Sequence, residues 1–251
     1  MLRWIEVVLA LLLLALPRAG AAQPAAPPGQ DVDLLLVLAA DVSRSVDAGK
    51  FDLQRNGYAA AITNPRVLEA VRSGPLGRIG IAFVEWSGVS SQKVIIDWAM
   101  IRDAKSAQDF ASQVIEMQRP FADRTSISAG IDFALAQLER APFKSARRTI
   151  DVSGDGTNNS GRDVTSARDA AVAAGVTVNG LVILSETPLP WNADHTNPPG
   201  GLAKYYEDNV IGGPGAFVTI ARNFESFREA IINKMVAEIA AAPGKVRQAA
   251  R

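Results

Sequence analysis

The sequence predicts an α/β fold: a doubly wound, Rossmann-like, mainly parallel central sheet with one antiparallel edge strand and helices on both faces. Three observations carry this expectation. Strand-like and helical runs alternate along the chain, the pattern of strands crossed over by helices. The run from Asp33 to Ala40 is continuously apolar after its first residue, as a strand buried on both faces should be. Two later runs, Arg78 to Trp86 and Gln92 to Trp98, are joined by a short Ser/Gly loop. They read as a hairpin, which adds one antiparallel pairing.

The elements follow in order. Gln23 to Gln30 is rich in Pro, Ala and Gly and reads as a flexible leader. After the first strand, Asp47 to Ile62 is expected to be helical, with Phe51, Tyr58 and Ile62 at helical spacing. Asn64-Pro65 is expected to stop it. Ser73 to Gly77 is a turn before the hairpin. Ser106 to Met117 predicts a second helix, its apolar face carrying Phe110, Val114 and Met117. Ser126 to Leu138 predicts a third, with the stripe Ile131, Leu135 and Leu138. Arg148 to Val152 is a short strand, and Asp163 to Ala174 an Ala-rich helix closed by Gly175. Val176 to Leu184 reads as one continuous strand despite Asn179-Gly180, because hairpin arms of about three residues would be too short. A long loop rich in Pro and Asn, Ser185 to Gly201, precedes a short helix at Leu202 to Asn209. Ala216 to Ile220 is a last strand and Phe224 to Ala240 a last helix.

Residues 1–22 read as a cleaved signal peptide. Arg3 opens a short basic region, Val7 to Leu16 is apolar, and Ala19-x-Ala21 suits cleavage. The apolar run is well short of the roughly 20 residues that cross a bilayer. Residues 23–30 are the leader, 31–242 one domain and 243–251 a tail. The expected location is periplasmic or secreted, with no stable membrane insertion after cleavage. Both compartments permit disulfides, yet the chain has no Cys.

The 251 residues include 26 basic and 26 acidic ones. Removing Arg3, Arg18 and Glu6 with the first 22 residues leaves 24 basic and 25 acidic, a net charge near −1. That balance argues against general affinity for nucleic acid or anionic membrane. One His and no Cys exclude a multi-His or Cys/His zinc site. They leave a single imidazole for a Ser-His hydrolase.

Polar chemistry gathers where strands end. Asp41-Val42-Ser43-Arg44-Ser45 directly follows the first apolar run. An irregular loop with this spacing can turn one carboxylate and two hydroxyls toward one point. Clustered oxygens without nitrogen or sulfur suit a hard cation such as Mg2+. Ser43, Ser45 or Asp47 capping the next helix is the simpler alternative. Two further loops, Asp123 to Ser128 and Val152 to Asn159, also carry oxygen ligands.

Asp-x-Ser-x-Ser after a buried strand, a distant Thr opening a helix, and Asp-Gly after a later strand resemble the von Willebrand factor A (vWA) domain. They resemble in particular its metal-ion-dependent adhesion site, or MIDAS. The likeness runs from about Val32 to about Ala240. Gly74-Pro75-x-Gly77-Arg78, Val84-Glu85-Trp86, Ile150 to Gly156 and Val210 to Phe217 are similar to a bacterial exported family of unknown function, DUF1194. The resemblance implies Ser43, Ser45 and Thr125 as direct hydroxyl ligands. It implies Asp41 and Asp155 as residues holding the ion directly or through water. Mg2+ is the expected ion, with Mn2+ or Ca2+ as alternatives. Hydroxyls neutralise no charge, so the ion keeps its attraction for an outside oxygen. An Asp or Glu of a partner protein is the simplest source. Two positions depart from the family pattern: Arg44 stands where Gly is common, and Ile127 where a second Thr often follows.

His195 lies in the Pro/Asn loop with Trp191 and Asp194. It reads as a lone solvated histidine, or alternatively as part of a partner surface anchored by Trp191. Trp86 and Trp98 read as packing residues. Gly212 to Gly215 lacks the phosphate-loop pattern and reads as a turn. No catalytic or cofactor-binding residues are assigned. A non-enzymatic binding module is the expected function. The alternatives are a Mg2+-dependent hydrolase or phosphoryl-transfer enzyme using Asp41 or Asp155, and a structural protein of envelope assembly.

Overall fold

The computed structural model describes residues 29–185, 189–190 and 192–241. The expected signal peptide, most of the leader, the whole tail and Trp191 lie outside the described residues. The strands are β1 (Gln30–Asp31), β2 (Leu35–Asp41), β3 (Ile79–Trp86), β4 (Gln92–Ile101), β5 (Phe143–Lys144), β6 (Arg148–Gly154), β7 (Thr177–Ile183) and β8 (Val218–Ala221). The helices are α1 (Ala48–Ile62), α2 (Pro65–Arg72), α3 (Ala104–Glu116), α4 (Ile127–Glu139), α5 (Val164–Ala173), α6 (Ala193–Thr196), α7 (Leu202–Asn209) and α8 (Phe227–Ala240). Six strands form the main sheet in the order β4-β3-β2-β6-β7-β8. Every pairing in it is parallel except β3 with the edge strand β4. The expected architecture is therefore the observed one. Strands β1 and β5 form a separate parallel pair.

The apolar run of β2 feeds two cores. Leu36, Leu38 and Ala40 join a cluster under α1, α2, α3 and α8. Leu35, Val37 and Ala39 join a second under α4, α5 and α7. Side chains alternate across a strand, so both faces of a sandwiched strand must be apolar. Trp86 is fully buried at the end of β3. Gly130 of α4 makes room for it, since a Cβ there would stand 2.8 Å from the indole.

Several local readings change, among them the expected loop Ser185 to Gly201, which contains α6, and the last strand, which starts at Val218. Asn64-Pro65 does stop α1, but it also starts α2. Asn64 Oδ1 accepts from Arg66 N at 2.9 Å, and Pro65 sits in the first turn, where its missing N–H is harmless. Met117 is the C-cap of α3 and is exposed, not part of its buried face. Helix α8 begins at Phe227, three residues later than expected. Strand β7 is continuous, as expected. Asn179 Nδ2 donates to Glu238 Oε1 at 2.8 Å and its Oδ1 accepts from Phe217 N at 3.2 Å. Gly180 leaves room for Tyr206, whose ring a Cβ would meet at 2.9 Å. Packing, not a turn, explains that dipeptide.

Strand β2 lies between β3 and β6, so the chain winds away from it in both directions. Such a switch point opens a crevice at the C-terminal strand ends. Asp41 ends β2, and Asp155 directly follows β6.

The core beneath that crevice holds a charged group. Lys234 of α8 is buried, with its Nζ 2.8 Å from Asp151 Oδ1 and bonded also to Glu238 Oε1. The ring of Phe217 lies 5.3 Å from the ammonium. Burial, and then the nearby Glu238, push the Asp151 carboxyl up to about 7, with Lys234 opposing. Lys234→Ala removes the one cation shared by two buried carboxylates and is expected to cost about 3–5 kcal/mol near pH 8. Without the ammonium the Asp151 carboxyl, already raised by burial, loses the cation that opposes the rise and holds its proton more tightly than in the unfolded chain. The folded variant then binds the extra proton, so its stability falls as pH rises. Urea denaturation at about pH 5 and about pH 8 should show a smaller deficit at the lower pH. An equal deficit at both would contradict this role.

Candidate metal centre

The first loop turns back on the end of β2. Ser43 N donates to Asp41 Oδ1 at 2.7 Å. Ser43 Oγ lies 3.2 Å from Ser45 Oγ, and Ser45 Oγ donates to Asp155 Oδ1 at 2.5 Å. Two hydroxyls thus connect a loop after β2 with a carboxylate after β6. Arg119 holds the loop's backbone, donating to Val42 O at 2.6 Å and Ser43 O at 2.9 Å. Lys50 of α1 donates to Ser45 O at 2.9 Å and places its ammonium 3.9 Å from Asp155 Oδ2. Asp47 caps α1 through Lys50 N, so the cap is a residue the site does not need.

The second loop ends at Ser126, which caps α4 by accepting from Ala129 N at 3.3 Å. Thr125 immediately precedes it and is buried. Its N donates to Asn159 Oδ1 at 2.9 Å, and its carbonyl accepts from Asn159 N and Ser160 N. These bonds tie the second loop to the third. Thr125 and Ser45 line one cleft of about 200 Å3, together with Asn159, His195, Arg44 and Arg124. All five expected residues therefore stand at one end of the sheet.

Neither departure from the family pattern disturbs the loops. Among the described residues no non-glycine has positive φ, so Arg44 needs no glycine-like backbone. Its side chain is largely exposed, 3.9 Å from Asp123. Ile127 is buried in the core below the site.

The site is electrostatically unbalanced. Burial and the neighbouring Asp155 push the Asp41 carboxyl up to about 8. Burial also raises Asp155, against the Ser45 bond and Lys50. Asp41 Oδ2 and Asp155 Oδ2 are buried and have no hydrogen-bond partner among the described residues. Leaving such oxygens unmatched is costly, and a divalent cation would match both. The residues present fit that ion. Among the described residues no three His, Cys, Asp or Glu side chains converge, so the three hydroxyls would complete the set.

Two site residues were not recognisable as such in the sequence. His195 is 4% exposed, not solvated. Its Nε2 lies 3.2 Å from Thr125 Oγ1, and its Nδ1 lies 3.2 Å from Thr157 Oγ1 and 3.4 Å from Asn159 Nδ2. Burial lowers its pKa from the ordinary histidine value, with Asp155 opposing. Tyr206 of α7 is buried beside Asp41: a Cβ on Gly154 would stand 2.5 Å from Tyr206 Oη and 3.2 Å from Asp41 Oδ2. The available signal was the pair of glycines flanking Asp155. Gly154 makes room for Tyr206, and Gly156 for the imidazole.

Comparison with known proteins agrees with the fold. No curated protein matches. The pilus adhesin SpaC from Lactobacillus rhamnosus GG, in its open conformation, has a TM-score of 0.59 at 13% identity; the match covers 84% of this chain and 31% of that one. A von Willebrand factor type A protein from Catenulispora acidiphila has a TM-score of 0.56 at 14% identity, covering 83% and 43%. Proximal thread matrix protein 1 from the mussel byssus, solved with a zinc-occupied MIDAS motif, has a TM-score of 0.55 at 14% identity, covering 85% and 49%. The chain thus spans half or less of each of these structures, and at such identities the likeness is one of fold. No helix among the described residues is long and apolar enough to cross a membrane. The model of the family described as "Protein of unknown function (DUF1194)" matches residues 31–243. The chain belongs to that family, and its fold is that of a von Willebrand factor A domain.

Proposed function

We propose that this domain is an exported, non-enzymatic binding module. It captures an acidic side chain of a partner protein through a divalent cation held by Asp41, Ser43, Ser45, Thr125 and Asp155. One observation carries this reading: two buried carboxylate oxygens with no hydrogen-bond partner among the described residues stand beside the linked hydroxyls of Ser43 and Ser45, at a cleft that Ser45 and Thr125 both line. Ser43, Ser45 and Thr125 bind the ion directly, while Asp41 and Asp155 hold it directly or through water. These oxygens by themselves suit Mg2+ or Mn2+ better than Ca2+, which takes more ligands and more carboxylates. Three hydroxyls leave the ion electrophilic, and a carboxylate from outside completes its shell. The adhesin and zinc-loaded relatives support the same use of this fold. The sequence features of residues 1–22 support release into the periplasm or the medium.

A hydrolytic reading draws on the imidazole beside the Thr125 hydroxyl, the arrangement of a base and a nucleophile. An esterase and phosphatase screen with Mg2+ or Mn2+ separates the two. Turnover that His195→Ala abolishes would replace the binding module with an enzyme.

Two outcomes are expected. An ion at a hundredfold excess over its Kd should stabilise the chelator-treated protein by about 2.7 kcal/mol, raising Tm by roughly 5–10 °C. Asp155→Asn should remove most of that rise in a thermal melt, and an unchanged rise would place the ion elsewhere. In a pull-down from envelope extract, a partner should be retained by the wild type in Mg2+ and lost in chelator or with Asp41→Ala. Equal retention under all three conditions would contradict a metal bridge.

A further inference from the structure

We propose that Arg44 and Arg124 select the partner by pairing with acids that flank the one taken by the ion, so that the segment recognised is a run of consecutive Asp or Glu. The inference deepens the metal-binding reading above and rests on it for the first acid.

The chain places both arginines beside the expected ligands. Arg44 stands between Ser43 and Ser45, and Arg124 immediately precedes Thr125. The three hydroxyl residues are buried, while both arginines are exposed. Both also line the cleft that Ser45 and Thr125 share. A side chain that enters this cleft toward the hydroxyls therefore passes the guanidinium groups.

The two arginines are fixed side by side. Arg44 N donates to Asp123 O at 3.0 Å, and that carbonyl belongs to the peptide unit whose nitrogen is Arg124 N. A single peptide unit and one hydrogen bond thus join their backbones. Two like charges rooted so close together repel each other, and an anion between them removes that cost.

Little counter-charge is supplied from within. Asp123 is the one acid in the lining of the cleft, and its oxygens are engaged elsewhere. Oδ1 accepts from Arg124 N at 2.8 Å, and Oδ2 accepts from Ser91 Oγ at 3.5 Å. Asp123 approaches Arg44 only to 3.9 Å, and the arginine side chain stays 73% exposed. The Arg124 guanidinium makes no ion pair among the described residues. Asp47 and Asp194 are exposed but do not line the cleft.

This charge balance names the ligand. A divalent ion offsets Asp41 and Asp155, and Lys50 already stands 3.9 Å from Asp155. One incoming carboxylate on the ion leaves the arginines unmatched. Clefts lined by one sign of charge draw in the opposite sign, and the planar fork of arginine suits a carboxylate. In an extended segment, side chains two positions apart share a face about 7 Å apart. Three consecutive acids can therefore give one carboxylate to the ion and the others to the arginines beside it.

The test is fluorescence anisotropy with two short blocked peptides in Mg2+. One carries three consecutive aspartates among glycine and serine, the other a single aspartate. Wild type should bind the triple-acid peptide about tenfold more tightly, and added salt should shrink that ratio. Arg44→Ala combined with Arg124→Ala, checked for a native melt, should bring the ratio to about one by weakening the triple-acid peptide. Asp123→Asn keeps an acceptor for Arg124 N but releases Arg44, and should tighten that peptide about two- to threefold. A role confined to holding the loops would not produce this gain. A wild-type ratio near one, or an unchanged ratio in the double variant, would overturn the proposal. Melts with and without Mg2+ judge the metal reading separately. No rise with Mg2+ would overturn that reading and this inference with it, whereas a rise without peptide preference would overturn the arginine assignment alone.

Discussion

Two carboxylates with too little to neutralise them control this structure. Parallel pairing of β2 with β6 runs from Leu35 to Ala40. It delivers Asp41 and Asp155 to the same end of the sheet within a buried pocket. Each raises the other's cost of ionisation, because like charges in a poorly solvated site repel. Lys50 relieves part of this from 3.9 Å, and Ser45 satisfies one oxygen of Asp155. Asp41 Oδ2 and Asp155 Oδ2 remain without a hydrogen-bond partner among the described residues, and these are the oxygens that the proposed cation would match. Bonds from Arg119 to the backbone of the first loop, and from Thr125 N to Asn159, keep the surrounding loops in place.

The scaffold supports that pocket from both sides of the sheet. On one side α1 and α8 bring polar groups against β6. Tyr58 donates to Ser153 Oγ at 2.8 Å, and Lys234 meets Asp151 two residues earlier. On the other side α4 and α7 bring Thr125 and Tyr206 to the strand ends. Asp151 and Ser153 point to one face of β6, as residues two apart must. A polar row of this kind is expensive to bury unless every member is matched. It therefore demands close placement of both helices, and that placement fixes where the loops above begin.

Much of this was legible in the chain. Sheet type followed from the doubly apolar β2 and the hairpin at β3–β4, since those patterns have few other solutions. The oxygen set was legible because its residues lie in short loops immediately after strands or before a helix. What escaped notice depends on contacts distant in sequence. His195 reads as a loop residue until Gly156, 39 positions away in the chain, is seen to receive its ring. Asn64-Pro65 reads as an end, because a proline that stops one helix also suits the first turn of the next. Lys234 and Glu238 stand four residues apart in one helix, and that Asp151 of β6 joins them in the core is visible only in the fold. Arg44 stands where the family pattern commonly has glycine, yet its backbone is ordinary.

The most direct test is diffraction from crystals grown with Mn2+, using anomalous scattering to locate the ion. A single strong peak bonded to the hydroxyls of Ser43, Ser45 and Thr125, with Asp41 and Asp155 around it, is the predicted result. A peak elsewhere, or none at saturating Mn2+ with the native fold intact, would contradict a metal centre at the strand ends.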